Sequence, residues 1–225
     1  MKLSIIVPCY NEEESIGQVL RQLEMLQLPC DVEVIVVDDG SIDNSATVVE
    51  GFSNVRLIRH RINKGKGAVI KKGLGDCSGD MILIQDADLE YFPSDIPRLL
   101  KPILMHEADM VLGSRMLGKP KGMSRAHLIA NKFLSCATRV LFSSTTTDLM
   151  TGYKLFTRSA FEQVAIDSVG FEVEAELVGK FLIQGLRVIE VPIQYEHRKK
   201  GKAKIRWRHG LRSLWTLFKI RVSAT

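Results

Sequence analysis

Apolar and polar residues alternate in blocks along the first half of the chain. Five short apolar runs, rich in β-branched residues and bounded by turn residues, lie at residues 3–8, 32–37, 55–59, 81–85 and 110–113. Between them the apolar positions recur with a helical period, in the stretches 12–28, 44–52, 67–76 and 94–106. Strands that alternate with helices of this length form right-handed βαβ units. The pattern therefore predicts an α/β fold with a mainly parallel sheet covered by helices on both faces.

The regular alternation of predicted strands and helices ends after residue 115, but no repeat or low-complexity linker interrupts the chain. Ser124 is placed to cap a helix that runs to about residue 142. A short strand, a helix and a final strand follow at residues 153–156, 172–184 and 188–195. We therefore expect one domain over residues 1–204, followed by a basic amphipathic helix over residues 205–225.

The composition is that of a globular protein with a substantial apolar core. Of 225 residues, 45% are hydrophobic and 25% are charged, which excludes a disordered, collagenous or disulfide-stapled chain. No run of 18 apolar residues occurs, so we expect no helix that spans a bilayer. The N-terminus lacks the features of a signal peptide. The four cysteines are scattered, which argues against a zinc site and favours a reducing, cytoplasmic compartment.

The net charge of +5 is distributed unevenly along the chain. From His197 to Thr225 there are ten Lys and Arg residues and no Asp or Glu, so this tail carries +10 and the rest of the chain −5. A basic tail on a mildly acidic domain indicates an anionic partner: nucleic acid, anionic lipid or a phosphorylated substrate. Because no helix-turn-helix or zinc-finger pattern accompanies it, we do not expect a nucleic-acid partner.

Acidic residues follow the predicted strands at their carboxyl ends, where open α/β sheets bind ligands. Asp38 and Asp39 follow the second strand, where they either form a turn or accept hydrogen bonds from a base or ribose. Asp86, Asp88 and Glu90 follow the fourth strand at alternate positions, which point the same way on an extended chain. Three carboxylates so placed predict a site for Mg²⁺ or Mn²⁺ that diphosphate oxygens and water complete.

Two further segments near strand ends have two interpretations each. Asn11, followed by three Glu residues, either caps a helix or, with Pro8 and Tyr10, belongs to a surface on which a nucleotide base packs. The segment 63–67 contains Gly-Lys-Gly but lacks the third small residue of a dinucleotide-binding fingerprint, and it follows the third strand instead of the first. It either brings a helix N-terminus to a phosphate or forms a basic surface loop.

The ordered combination of these motifs resembles the family-2 glycosyltransferases of GT-A fold, most closely their dolichyl-phosphate mannose synthase and bacterial polyprenyl-phosphate branch. The matching segments are residues 5–12, 36–41, 63–67, 86–88, 113–115, 148–153, 190–193 and 198–204. Three positions depart from that branch: Glu90 stands for Gln, Ala203 for Ser and Cys9 for Thr. The resemblance implies an inverting, metal-dependent transfer of a sugar from a nucleotide-diphospho-sugar to dolichyl, undecaprenyl or another polyprenyl phosphate.

The resemblance also implies roles for individual residues. Those that would line the base and ribose pocket or contact the nucleotide are Pro8, Tyr10, Glu12, Val37, Asp39, Asp86 and Ala87. Those that would hold Mg²⁺ or Mn²⁺ on the donor diphosphate are Asp86, Asp88 and Glu90. The basic residues that would meet phosphate charge are Arg115, Arg198 and Lys204. The residues expected to take part in catalysis are Asp88, Arg115, Asp148 and Arg198.

The acceptor decides whether the reaction needs a base. A lipid phosphate is largely ionised at pH 7, whereas a hydroxyl must give its proton to a carboxylate, for which Asp148 is the candidate. The alternatives are therefore a family-2 enzyme acting on a hydroxyl of a cell-envelope glycan or soluble acceptor, a non-enzymatic nucleotide or membrane binder, and a sugar nucleotidyltransferase. The last would need a Gly-rich first loop, which is absent. The nucleotide of the donor, GDP or UDP, stays open.

The predicted C-terminal helix has one apolar face bordered by basic residues. The apolar residues are Trp207, Leu211, Leu214, Trp215 and Phe218. The basic ones are Arg206, Arg208, Arg212 and Lys219. Such a helix either lies in a membrane interface or packs its apolar face on the domain. We expect the former, with the protein peripheral on the cytoplasmic face of a membrane, by itself or with a membrane subunit.

Overall fold

The computed structural model describes residues 1–198 and 207–223, within which seven strands form one sheet. The strands are β1 (Lys2–Cys9), β2 (Asp31–Asp38), β3 (Val55–Arg59), β4 (Met81–Ile84), β5 (Met110–Ser114), β6 (Lys154–Thr157) and β7 (Val188–Pro192). Their order across the sheet is β3-β2-β1-β4-β6-β5-β7. β6 runs antiparallel to both of its neighbours, while the other pairs are parallel. The predicted mainly parallel sheet is confirmed.

Helices connect the strands and cover both faces of the sheet. They are α1 (Ile16–Glu24), α2 (Ser45–Glu50), α3 (Lys66–Asp76), α4 (Ile96–Leu104), α5 (Arg115–Gly118), α6 (Arg125–Phe142), α7 (Arg158–Phe161), α8 (Val173–Ile183) and α9 (Trp207–Ser223). A short 3₁₀ turn, Pro93–Asp95, precedes α4. Ser124 caps α6 as predicted, because its hydroxyl accepts a hydrogen bond from the backbone N–H of His127. None of the helices in residues 1–198 and 207–223 has the length and apolarity needed to cross a bilayer.

The central strand β1 shows how the sheet separates two apolar cores. Leu3, Ile5 and Val7 point to one face, where they pack with residues of α1, α2 and α4. Ile6 points to the other face and packs with residues of α3, α6 and α8. Successive side chains of a strand alternate between faces, and β1 is buried at every position from Leu3 to Val7, so it is covered on both sides. The centre of the sheet is therefore buried, and ligands can reach it at the strand ends.

The chain after β1 does not continue into a helix as early as the sequence suggests. Asn11 adopts a left-handed conformation (φ 50°), and its Oδ1 accepts the backbone N–H of Ile42 at 2.9 Å. Helix α1 begins five residues later, at Ile16. The interpretation of Asn11 as a helix cap is wrong, because its side chain joins the loop after β1 to the loop after β2.

Helix α9 packs on α6 and α8. Leu217 is fully buried in the same core as α8, and Gly179 of α8 leaves room for Leu217 and Ile220. Within the predicted apolar stripe, Leu214 is partly buried against this core, whereas Leu211, Trp215 and Phe218 are 59%, 58% and 48% exposed. The stripe therefore packs on the domain through Leu214 and leaves its other described residues exposed.

Candidate active site

The carboxyl ends of β1, β2 and β4 bring four of the predicted acidic residues to one edge of the sheet. Glu12 follows β1, Asp39 follows β2, and Asp86 and Asp88 follow β4. The antiparallel strand β6 contributes its amino end to the same edge, because Lys154 pairs with Ile84 at the end of β4. The segment just before β6 therefore meets the ends of the parallel strands.

Asp39 is held rigidly at the end of β2. Its Oδ1 accepts the backbone N–H of Lys64 at 2.9 Å and lies 2.9 Å from Nδ1 of His60. Its Oδ2 accepts the backbone N–H of Gly65 at 2.8 Å. A carboxylate oxygen has two lone pairs, so Oδ2 can accept one more N–H or O–H group. Asp39 is thus oriented to accept a hydrogen bond from an N–H group of a base or an O–H group of a ribose.

The remaining predicted pocket residues differ in how they reach the edge. Pro8 and Tyr10 are half-buried there. Val37 is fully buried and packs in the core with residues of α3, and Ala87 is 3% exposed and packs in the opposite core. The side chains of Val37 and Ala87 therefore support the edge from beneath. The predicted contacts of these two residues with the nucleotide stay predictions, which their backbone atoms would have to supply.

Glu12 and Arg198 form a bidentate ion pair at this edge. Arg198 Nη2 lies 2.8 Å from Glu12 Oε2, and Nη1 lies 3.2 Å from Oε1. Ser15 donates a further hydrogen bond from its hydroxyl to Glu12 Oε2 at 3.0 Å. The side chains of Arg198 and Glu12 are only 10% and 6% exposed. Arg198 therefore lies among the predicted nucleotide ligands, as its expected contact with phosphate requires.

The three carboxylates after β4 do not point the same way. Leu89 adopts a left-handed conformation (φ 62°), so the chain from Asp88 to Glu90 is turned instead of extended. Glu90 Oε2 accepts the hydroxyl of Tyr195 at 2.8 Å, and its Oε1 lies 3.0 Å from His197 Nδ1. The predicted joint half-site of three carboxylates is wrong, because the turn directs Glu90 to the segment after β7.

Asp86 has a different partner. Lys66 Nζ lies 2.6 Å from Asp86 Oδ1 and 2.8 Å from Glu174 Oε1. Burial by itself would lower the pKa of Lys66, but the charges of Asp86 and Glu174 raise it above its ordinary value. The lysine therefore stays charged and balances Asp86. Lys66 belongs to the Gly-Lys-Gly segment and begins α3. Its burial contradicts the interpretation of this segment as a basic surface loop, whereas a phosphate at the N-terminus of α3 stays a prediction.

Asp88 is the carboxylate whose surroundings fit a divalent cation. Its side chain is 19% exposed, and Arg198 Nη1 lies 3.6 Å from its Oδ2, beyond hydrogen-bond distance. Burial and the neighbouring charges of Asp86 and Glu90 raise the pKa of Asp88 to about 7. A hard cation would offset this crowding of negative charge. In the described ranges, no three His, Cys, Asp or Glu residues are grouped to hold a metal, so further ligands must come from elsewhere.

Arg115 and Asp148, predicted as a phosphate contact and a base, are instead bound to each other. Arg115 Nε and Nη2 donate to the two oxygens of Asp148 at 2.8 and 2.7 Å, and the Arg115 backbone N–H donates as well. Asp148 is fully buried. A base must reach the proton that it removes, so this arrangement argues against Asp148 as that base. The pair fastens the start of α5 to the segment before β6.

Several residues of the edge carry no signal that sequence reasoning could have used. His60 contacts Asp39 from the end of β3, and the buried hydroxyl of Tyr91 accepts the backbone N–H of Gly152 at 2.9 Å. A Cβ on Gly152 would lie 2.1 Å from Asp86 Oδ2, so a side chain at this position would displace the Asp86 carboxylate. Lys204, a predicted phosphate contact, lies outside the described residues together with Ala203.

The chain belongs to the family-2 glycosyltransferases, because the model of the glycosyl transferase family 2 matches residues 4–165. It is 27% identical over 215 residues to the dolichol-phosphate mannosyltransferase of Pyrococcus furiosus, covering 92% of this chain and 60% of that protein. It is also 27% identical to the polyprenol monophosphomannose synthase of Mycolicibacterium smegmatis, covering 89% of this chain and 80% of that one. The predicted family is confirmed, and the chain spans about 60% of the length of the P. furiosus relative.

Solved structures confirm the GT-A fold. The glucosyl-3-phosphoglycerate synthase of Mycobacterium tuberculosis, in complex with phosphoglyceric acid, superimposes with a TM-score of 0.82 at 21% identity, covering 98% of this chain and 80% of that one. The same enzyme in complex with Mn²⁺, UDP-glucose and phosphoglyceric acid gives a TM-score of 0.80 at 20% identity, with the same coverage. At this identity the likeness concerns the fold, so roles at the edge must be argued from this chain's residues.

Proposed function

We propose that this chain is an inverting glycosyltransferase that moves a sugar from a nucleotide-diphospho-sugar to a polyprenyl phosphate. Support comes from relatives named for such transfers, including the undecaprenyl-phosphate 4-deoxy-4-formamido-L-arabinose transferase of Pseudomonas fluorescens, 30% identical over 90% of this chain and 59% of that protein. The structural observation that carries the proposal is an apolar, basic surface on α6 and α9, joined by one short segment to the carboxylate edge.

The donor half of the site is assigned to the ends of β1, β2 and β4. In the proposal, Asp39 accepts a hydrogen bond from the base, and His60 fixes the orientation of its carboxylate. Asp88 would hold Mg²⁺ or Mn²⁺, and the donor diphosphate would complete the coordination. The cation, when bound, would stabilise the negative charge that develops on the leaving diphosphate. Arg198 would add a second positive charge there.

The reaction is a single displacement at the anomeric carbon. An oxygen of the acceptor phosphate forms the new bond to that carbon, while the bond to the nucleoside diphosphate breaks and its electron pair leaves with the diphosphate. The configuration at the carbon inverts. A phosphate acceptor with a second pKa near ~6 is ionised at pH 7, so the buried state of Asp148 is no obstacle. A hydroxyl acceptor would need a base that Asp148 cannot supply in this arrangement.

Helices α6 and α9 present a surface suited to the membrane that contains such an acceptor. A groove of about 660 Å³ lies between them. Its lining residues are Phe133, Cys136, Ala137, Val140, Leu141, Leu211, Leu214, Trp215 and Phe218. Neither helix contains an acidic residue, and together they carry seven Lys and Arg residues. Exposed aromatic and apolar side chains among basic ones are typical of helices that lie in an anionic lipid interface.

Helix α6 connects this surface to the candidate active site. Asn131 Oδ1 accepts the backbone N–H of Met150 at 3.1 Å, and Ser135 Oγ accepts that of Leu149 at 3.0 Å. The same segment leads to Gly152, which contacts Asp86. An acceptor phosphate at the lipid surface would therefore arrive beside the donor carboxylates. In this proposal residues 1–204 form the catalytic domain, and residues 205–225, of which α9 is the described part, contact the lipid on the cytoplasmic face. A membrane subunit would be a second anchor.

The proposal is tested by transfer assays with a panel of GDP- and UDP-sugars, Mn²⁺ and a short-chain polyprenyl phosphate in detergent. Mass spectrometry of the lipid fraction should show a glycosyl phosphate with one of the donors, and Asp88→Asn should abolish it. Lys72→Met, an exposed change on α3, is the matched control and should leave the product unchanged. If sugar passes to a hydroxyl acceptor and none to the lipid phosphate, the proposed acceptor class is wrong.

A further inference from the structure

Four charged side chains form a continuous buried chain beneath the candidate active site. Lys66 Nζ bridges Asp86 Oδ1 (2.6 Å) and Glu174 Oε1 (2.8 Å), and Lys154 Nζ lies 2.6 Å from the other oxygen of Glu174. The exposed fractions of Lys154, Glu174 and Lys66 are 0%, 3% and 12%. Two positive and two negative charges alternate, and only the Asp86 end reaches the edge where the donor would bind.

The backbone around Lys66 is built to place this lysine. A Cβ on Gly67 would lie 2.4 Å from the carbonyl oxygen of Ser168, and a Cβ on Gly65 would lie 2.5 Å from that of Val169. Gly67 also donates its backbone N–H to the Val169 oxygen at 2.9 Å. The two glycines therefore let the chain before α8 lie directly on the start of α3. This contact brings Glu174, in the first turn of α8, next to Lys66.

We infer that Lys66 is a positioning residue of the donor site: it holds Asp86 in one orientation and balances its charge, so that Asp88 is left as the carboxylate for the cation. The inference deepens the proposed function and rests on its donor site. With Oδ1 bound to Lys66, Asp86 Oδ2 faces Gly152 and can accept a hydrogen bond from the nucleotide. Lys66 itself is fixed from behind by Glu174, so it does not need the donor to hold its place.

The separation of the two carboxylates has a measurable consequence. When Lys66 is present it neutralises Asp86, so that of the two carboxylates only Asp88 presents a net negative charge to the cation. When the ammonium is removed, Asp86 is free to turn towards Asp88, and both charges face the cation. Binding of Mn²⁺ without nucleotide should then become tighter, whereas binding of the Mn²⁺–nucleotide complex should become weaker, because Asp86 no longer has a fixed orientation.

The test uses the purified full-length protein and two variants, one at Lys66 itself and one at Glu174, on the side of Lys66 away from Asp86. Lys66→Met removes the charge and keeps the length of the stem. Glu174→Gln removes the charge behind Lys66 and leaves the Lys66–Asp86 contact in place. Mn²⁺ binding is measured by electron paramagnetic resonance, and binding of Mn²⁺–UDP and Mn²⁺–GDP by calorimetry. Lys72→Met, at an exposed position on the same helix, is the control.

For Lys66→Met we expect Mn²⁺ alone to bind about tenfold tighter and the Mn²⁺–nucleotide complex about tenfold weaker. Glu174→Gln should lower the unfolding temperature but change both affinities less than twofold. Equal changes in both variants, or loss of thermal stability in Lys66→Met with unchanged affinities, would show a purely structural role and overturn the inference. Because nucleotide binding is measured without acceptor, a failure of lipid transfer would refute the proposed acceptor and leave this inference standing. A wild-type chain that binds no Mn²⁺–nucleotide would refute both.

Discussion

Arg198 and Glu12 form a two-bonded ion pair although 186 positions separate them in the chain. Glu12 follows the first strand, and Arg198 follows the last one. Both side chains are largely buried, and Arg198 also lies 3.6 Å from Asp88 Oδ2. The pair therefore closes the edge of the sheet with one residue from each end of the domain.

Replacing Arg198 with alanine should lower the rate of transfer, and because it also leaves the buried Glu12 without its partner, the unfolding temperature is measured beside the activity to ensure that folded protein is assayed. On the proposed mechanism the substitution removes a positive charge from the leaving diphosphate, and loss of one such group costs about 10²–10³ in rate. Steady-state kinetics with the preferred donor should therefore show a fall in kcat of this size. Arg98→Ala, which removes a half-exposed arginine bound to Asp95 and the Pro192 carbonyl, is the control and should keep wild-type kcat. Retention of more than half of the wild-type kcat by Arg198→Ala would contradict the assigned role.

The affinity for Mn²⁺ should depend on pH through Asp88. Because burial and the charges of Asp86 and Glu90 raise the pKa of Asp88 to about 7, a proton competes with the cation below that pH. The dissociation constant should therefore fall about tenfold per pH unit between pH 5 and 7 and level off above pH 7. Electron paramagnetic resonance titrations check this, and Asp88→Asn should bind weakly with no such slope. A pH-independent affinity in the wild type would refute the role of Asp88.

The same raised pKa predicts the stability of the metal-free protein. Between about pH 4 and 7 the folded state keeps a proton on Asp88 that an unfolded carboxylate has released, so the folded state binds more protons. The free energy of unfolding should then decrease as the pH rises through this window, by at most about 1.4 kcal/mol per unit from this group. Denaturant unfolding of the wild type and Asp88→Asn isolates this contribution as their difference. A difference that stays constant with pH would contradict it.

The parts of the fold that follow from local patterns were predictable. The strand ends were found within one residue, because the apolar runs end at turn residues, except that β7 ends at Pro192, three residues before its predicted end. The start of α1 was not found, because the left-handed Asn11 bonds to Ile42 of another loop, a contact that the local pattern does not contain. The direction of β6 could not be predicted either, because the apolar pattern of a short strand is the same whether the strand is parallel or antiparallel to its neighbours.

At the candidate site, the sequence identified the acidic residues but not their partners. The alternate spacing of Asp86, Asp88 and Glu90 suggested one joint site, and the left-handed Leu89 disrupts it. Lys66 forms an ion pair with Glu174, which lies more than a hundred positions later in the chain. Long-range ion pairs of this kind depend on how helices dock, which no spacing within one segment encodes. Periodicity did place Leu211, Trp215 and Phe218 on one side of α9, where all three are exposed, but it did not reveal that Leu214 packs on the core.

Asp148→Asn should affect stability before it affects chemistry. Removing one partner of a buried ion pair costs about 3–5 kcal/mol, and in a domain of this size each kcal/mol lowers the Tm by roughly 2–4 °C. Calorimetry should show a fall of about 6–20 °C, whereas Asp109→Asn, which breaks the half-exposed pair with Arg187, should cost within about 1 kcal/mol. An unchanged Tm together with abolished transfer would return Asp148 to the role of a base.

The surface of α6 and α9 should bind anionic lipid. The double variant Trp215→Glu, Phe218→Glu places two charges on the exposed stripe, and we expect it to lose at least tenfold in retention on phosphatidylglycerol vesicles, because apolar burial and electrostatic attraction both contribute there. Met25→Glu, at an exposed apolar site just after α1 and outside this surface, is the control. Sedimentation with anionic phosphatidylglycerol vesicles measures both contributions together. Sedimentation with neutral phosphatidylcholine vesicles measures apolar burial alone. Equal retention of wild type and double variant would exclude this surface.

The reversed strand β6 has a consequence for how such an enzyme can diversify. β6 lies between β4 and β5 and so brings the second part of the chain to the strand ends of the first. Most residues of the proposed donor site come before residue 91, whereas Gly152, Glu174 and Arg198 come from the second part and lie against Asp86, Lys66 and Glu12. Changes in the second part that alter the proposed acceptor surface must therefore keep these three contacts if the donor site is to keep its geometry.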